Sequence, residues 1–188
     1  RWYGLYLYLG KKGIIWRMKQ LKTIKNIPNE IAAHLAADQV LVRLLVDDSQ
    51  DLSTEIERSD YSLEALLTKK YLCTYPIVES DGLVDSTKNT FLVIKLTLVS
   101  FSSGDEVEVS GNIYITSNLN HYLLKGGKDR NLEICDRICQ DLDGLKLTAT
   151  QTISIGNIVS IVVGNDRAGY CRSFEVRDQL TSNMKAEI

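Results

Sequence analysis

Apolar and polar positions follow two different periods along this chain. From residue 28 to 46, "PNEIAAHLAADQVLVRLLV", Ile31, Leu35, Leu41 or Val42, and Leu45 recur at helical spacing, with alanines between them. Asn26 is placed to cap this segment. Pro28 falls in its first turn, where a missing N–H costs little, and Glu30 suits the positive end of the helix dipole. The pattern predicts one helix over 28–46. His34 lies beside the stripe, where an exposed polar role is expected rather than ligation. A short helix is expected near 62–69. "KYLCTYPIV" reads as a strand that Pro76 confines to an edge or ends.

The period then changes to two. Over 91–101, Leu92, Ile94, Leu96 and Leu98 alternate with Val93, Lys95, Thr97 and Val99. "SSGD" at 102–105 is turn chemistry, and 106–116 returns with Val107, Val109, Ile113 and Ile115 on one face. Gly111 marks a bulge or bend. After "SNLNHYLLKGGK" a second helix is expected over 129–142. Asp129 is its N-cap, Leu132, Cys135, Ile138 or Cys139, and Leu142 form its buried stripe, and Gly144 follows its end. In that reading Arg130, Glu133, Asp136, Arg137, Gln140 and Asp141 face water. Strands follow near 151–155, 158–163 and 170–176, the last two joined by "GNDRAG". The expected fold is α+β: a mostly antiparallel sheet with a long central hairpin, packed by two main helices.

The hairpin raises a question of cover. Both faces of 91–101 carry apolar side chains, while two helices cover one face. A second face bearing Val93, Val99 and Phe101 is expected to be a partner surface. The candidate oligomer interface is therefore Val93, Lys95, Thr97, Val99, Phe101 and Tyr114 on the hairpin, with Lys125 and Lys128 in the following loop.

Charge divides the chain. Of its 188 residues, the first 25 hold seven Lys or Arg, no acid, both tryptophans and three of the tyrosines. Basic residues interleaved with aromatics suit a nucleic-acid arm. Met18 also opens "MKQLKTIKNIPNEI", which has the look of a translation start. Residues 1–17 thus read either as an upstream extension or as a basic aromatic arm, and 18–188 as a single domain. From Met18 onward, 18 basic residues face 24 acidic ones, a net of −6. No apolar run reaches the roughly 18 residues of a membrane span.

Chemistry-bearing patterns are sparse. The chain has two histidines and four cysteines, without paired CxxC knuckles. It contains no GxSxG, HExxH, Walker or dinucleotide fingerprint. "LKGGK" ahead of a helix could meet an anion but lacks phosphate-loop spacing. The acidic stretch 47–70 lacks the ligand spacing of a calcium loop. No catalytic residue, metal or cofactor is expected. An enzyme built around His121 and a nucleic-acid module using residues 1–25 are the alternatives from other classes.

Three stretches together resemble the tail-terminator and tail-completion proteins of tailed-bacteriophage necks. They are "IPNEIAAHLAADQVLVRLLVDD", ending in Val42-Arg43-Leu44-Leu45; "KDRNLEICDRICQDLDG" at 128–144; and "NDRAGYCRSFEVRDQ" at 165–179. The likeness covers about residues 28–179, while the basic aromatic start and the long 47–70 segment depart from it. The resemblance implies a non-enzymatic virion protein, assembled in the bacterial cytoplasm. It implies a homo-oligomeric ring that meets the tail-tube protein and the head connector, with DNA passing through unread.

Overall fold

The computed structural model describes residues 24, 26–48, 61–74, 89–101, 107–147, 152–163 and 166–177. The basic aromatic start, Pro76, the turn at 102–105 and most of the acidic segment lie outside them. In chain order the elements are α1 (26–37), α2 (Gln39–Val46), α3 (Leu63–Thr68), β1 (Leu72–Cys73), β2 (Thr90–Phe101), β3 (Val107–Asn118), a 3-10 turn (Leu119–His121), α4 (Arg130–Leu142), β4 (Thr152–Val163) and β5 (Arg167–Arg177). The strands form one sheet in the order β1-β2-β3-β5-β4, with β1 parallel to β2 and the other pairs antiparallel. This is the expected α+β class, with the hairpin at its centre.

The helix expected over 28–46 is two helices. A continuous helix would carry Asp38 on the Ile31–Leu35–Val42–Leu45 stripe, toward the core. The chain instead breaks at Asp38, which turns extended (φ −77°, ψ 106°) and accepts the Val40 N–H at 2.8 Å as the cap of α2. The break re-phases the second segment, so Leu41, Val42, Leu44 and Leu45 are all buried. α3 begins at Ser62, whose hydroxyl accepts from Ala65 N. It ends with Lys70 at φ +59°, while Tyr71 N donates to Leu66 O and Lys70 N to Leu67 O. That is the Schellman arrangement with lysine where glycine is usual.

α4 starts where expected, with Asp129 accepting from Leu132 N. Gly144, at φ +76°, completes a type II turn closed by Leu145 N donating to Leu142 O. Its stripe is rotated from the expectation. Ile134, Cys135, Ile138 and Leu142 are buried, but Leu132 is 42% exposed and Arg130 is 1% exposed. The helix lies obliquely on the sheet. At one end Asn131 donates to Ala168 O; at the other, Asp143 accepts from Ile155 N and Gly144 N donates to Ile153 O.

The main core lies between the helices and one sheet face. Leu92 and Ile94 of β2, Ile113 and Ile115 of β3, Ile153 of β4 and Phe174 and Val176 of β5 meet Ile31, Leu35, Leu41, Leu45, Ile134 and Ile138. Each fully buried aliphatic side chain there contributes about 1.5–3 kcal/mol of transfer free energy. Gly111 is required by this packing: a Cβ there would stand 2.4 Å from the Phe174 ring and 2.6 Å from Lys95 O. The bulge expected at Gly111 lies instead on the partner strand. Leu96 pairs with Gly111 and Leu98 with Ser110, so Thr97 is the extra residue.

That bulge changes which side chains share a face, because side-chain direction alternates residue by residue. Before it, Leu92, Ile94 and Leu96 point to the helices; after it, Val99 does, packing on the main core, while Leu98 is 60% exposed. The expected grouping of Leu98 with Leu92, and of Val99 with Val93, is therefore corrected. The strands expected at 151–155 and 158–163 are one strand, β4, with a bulge between Ile155 and Ile158.

Candidate self-association surface

The candidate interface residues do not form one patch. Val93 and Tyr114 face away from the helices, but Val93 is 3% exposed, in a small second cluster with Cys73 and Phe91 against which Tyr114 packs. The Arg167 guanidinium lies 5.1 Å from the Phe91 ring centre, adding a cation–π contact to that cover. Lys95 is half-buried beside them, and Thr97 is the exposed bulge residue, donating to Ser110 O. Val99 points to the opposite face. Phe101 pairs through its backbone with Val107, and its side chain lies outside the described residues. Lys125 and Lys128 occupy the turn before α4, with Lys128 3.3 Å from Glu133 in an exposed ion pair. The expectation of an open Val93–Val99 face fails for two reasons: the bulge separates the two valines, and the Val93 side is covered.

Open apolar surface is found at the other end of the sheet order. β4 is the last strand, and "TISIGNIVSIVV" contains no charged side chain. Its first third is closed off. Lys146 forms a bridge with Thr152, Ile153 N donates to Leu145 O, and Ile155 N donates to Asp143. From residue 156 to 163, no described residue pairs with its outer edge. Ile158 is 38% exposed, Val159 59% and Val162 80%. Register places Ile158, Ser160 and Val162 on the helix side, opposite Arg172, Tyr170 and Ala168 of β5, and Val159 and Ile161 on the other. The open stretch thus presents aliphatic side chains on both faces. The oblique path of α4 explains this: 13 residues span about 20 Å, against about 40 Å for a 12-residue strand.

Sequence reasoning missed this surface because the aliphatic content of 158–163 looks the same for a buried strand and an exposed one. The available signal was the absence of Lys, Glu or Pro, which natural edge strands use to discourage pairing.

The polar interior is structural in form. Thr90 and Ser117 share a hydrogen bond at 2.9 Å, Ser117 donates to Asn131 at 2.6 Å, and Asn131 donates to Ala168 O. This seam ties β2, β3, β5 and α4 together in the dry layer, where unpaired polar groups would be costly. Arg130 donates to His121 O at 3.0 Å, Leu44 O at 2.9 Å and Asp47 O at 2.6 Å. Its guanidinium thereby satisfies carbonyls at the end of α2, which the helix itself leaves without partners. Burial lowers its pKa, while Asp47 and Asp48 oppose that shift. No sequence signal distinguished Arg130 from its exposed neighbours.

The "LKGGK" turn does not leave an anion site. Asp129 fills the N-terminus of α4 with its own carboxylate, one oxygen on Leu132 N and the other on the Tyr170 hydroxyl at 2.8 Å. Tyr122 donates to Tyr170 at 3.4 Å. Burial, then the bonds to Tyr170 and Asp129, push the Tyr122 hydroxyl well above the ordinary phenol range. His121 places Nδ1 3.3 Å from Asp48 O, and His34 is exposed. Burial pushes the Cys135 thiol up to about 12, so this cysteine behaves as a small core residue. Among the described residues no three His, Cys, Asp or Glu side chains gather as a metal-binding group, and no helix is long and apolar enough to cross a membrane.

No protein-family model matches the chain, and no curated protein sequence matches it.

Proposed function

We propose that this chain is a structural, non-catalytic subunit that assembles with copies of itself, and that the assembly is a ring of the tailed-bacteriophage neck, of tail-terminator or tail-completion type. The carrying observation is the charge-free outer edge of β4, without a partner strand among the described residues from 156 to 163 and with Ile158, Val159 and Val162 exposed. A strand of this kind is a template for pairing and a poor feature for a solitary protein. The resemblance of the three stretches noted above directs the reading to a phage neck. In that setting the other partners are the tail-tube protein and the head connector, within a virion put together in the bacterial cytoplasm. DNA passes through the ring without sequence recognition, which suits the acidic balance from Met18 onward.

The test is the size and shape of the purified chain, by light scattering after gel filtration and by electron microscopy of the same fractions. Closed rings with a central channel are expected. A protein that sediments as a monomer at every concentration and forms no ring with tail-tube protein overturns the reading. Flanking genes for portal, capsid and tail-tube proteins would support it, and metabolic neighbours would sink it.

A further inference from the structure

From the open half of β4 we infer that two copies of this chain pair edge to edge, β4 against β4, antiparallel about a two-fold axis at Ser160. The inference rests on the reading of the chain as a self-assembling subunit and names the surface, the partner and the register.

The argument begins with what the edge offers. Among the described residues, none pairs with the backbone of 156–163 on the outer side of the last strand. A second strand would satisfy that backbone and continue the sheet. The identity of that strand follows from the segment itself. Ile158-Val159-Ser160-Ile161-Val162 reads almost the same in both directions by side-chain class. Pairing it antiparallel with a copy, centred on Ser160, sets Ile158 opposite Val162 of the second copy and Val159 opposite Ile161. Ser160 then meets its own counterpart.

Within 158–162 each cross-strand pair is then aliphatic against aliphatic or hydroxyl against hydroxyl, on both faces, and only the flanking Asn157–Val163 pair is mixed. β-branched pairs of this kind are among the favourable ones in antiparallel sheets. A one-residue slip to a centre between Ser160 and Ile161 would put both serines opposite isoleucines. Charge agrees with self-pairing. Two copies of one strand bring like charges together wherever a charge lies near the axis, and β4 has none. The same two-fold uses one patch on both subunits, so the contact closes at two. It joins five strands from each copy into one sheet and covers Val162, the most exposed large apolar side chain among the described residues. The two copies of the pair are oppositely oriented, so the pair links one ring to another, and each ring closes through a second, different contact.

Two kinds of variant test it. Val159→Lys with Val162→Lys places a charge on each face of the edge. Both positions are more than half exposed in the single subunit, so the variant keeps the wild-type circular dichroism spectrum and loses the pair in sedimentation runs where wild type shows it. Cysteine scanning reads the register. Ser160→Cys cross-links to itself under mild oxidation, because Cβ atoms at directly opposed positions lie about 4.5–5.5 Å apart. Ile158→Cys alone does not cross-link, while Ile158→Cys with Val162→Cys does. A wild-type chain that is monomeric at every concentration overturns this inference, and overturns the self-assembly reading as well if it forms no ring with tail-tube protein. A wild type that assembles, with a double-lysine variant that assembles equally and no Ser160→Cys cross-link, overturns the β4 contact and leaves self-assembly standing. Cross-linking through Ile158→Cys alone overturns the register.

Discussion

β2 and β4 are alike in sequence terms and opposite in fate. Each is a 12-residue strand rich in Ile, Leu and Val, and each carries a one-residue bulge. β2 is flanked by β3 along its length and by β1 at Leu92 and Val93, and there Phe91 to Ile94 are buried on both faces. β4 lies at the end, and past its bulge the side chains on both faces reach solvent. The lesson is that apolar content on two faces says a strand has something to cover, not whether its own chain covers it. That depends on position in the sheet order and on how far the helices reach. The comparison can be broken or sharpened by four measurements.

The largest effect is expected at Val93. Val93→Glu puts a carboxylate into a site 3% exposed and should cost about 3–5 kcal/mol, enough to lose the cooperative melt. Val159→Glu, the matching change on β4, should stay within about 0.5 kcal/mol for the isolated subunit. Equal effects at the two sites would erase the distinction between the strands.

Arg130 comes next, because it holds α2, which packs on β2, to the start of α4. Arg130→Met leaves the carbonyls of Leu44 and Asp47 without this donor. It should cost about 3 kcal/mol, or about 6–12 °C in melting temperature. Hydrogen exchange should rise in α2 and the first half of β2 and stay unchanged in β4.

The bulge in β2 gives a finer test. Val99→Ala should destabilise by about 1 kcal/mol because Val99 packs on the core. Leu98→Ala should cost less than about 0.5 kcal/mol because its side chain is exposed. Urea denaturation of the two variants decides it, and the reverse order would mean that the strand runs without its bulge.

The smallest effect is a pH dependence in the helix layer. Asp141 on α4 is raised to about 6, by burial first and then by the neighbouring Asp38 carboxylate, with Arg137 and His34 opposing. The unfolded carboxyl releases its proton near 3.8. The folded state therefore holds the proton more tightly, and stability falls as pH rises from about 4 through about 6. Asp141→Asn removes that loss. It should raise stability at pH 7 by less than about 1 kcal/mol, given solvent screening, and give no gain at pH 4. Thermal melts across that range read the difference.

Helix and strand identity was legible in the local pattern. The cap at Asp129, the turn at Gly144, the short helix near 62–69 and the strands β2, β3 and β5 depend on neighbours in sequence, and the structure has them near the expected places, while β4 runs through what reads as two strands. The class, α+β with a central hairpin, followed from element order. Where the pattern misled, the cause was non-local. Asp38 breaks the first helix because a carboxylate on the buried stripe would cost more than a lost turn. Arg130 is buried because the end of α2, some eighty residues earlier, supplies carbonyl partners. The candidate surface on β2 and β3 was drawn from strict alternation, which one bulge at Thr97 overturns. Backbone periodicity and capping are short-range, so the sequence by itself determined the elements and their order. Sheet position, bulge register and the reach of α4 are set by contacts between distant segments. Tertiary structure alone therefore decided that Val93 is covered and that Val159 and Val162 are open.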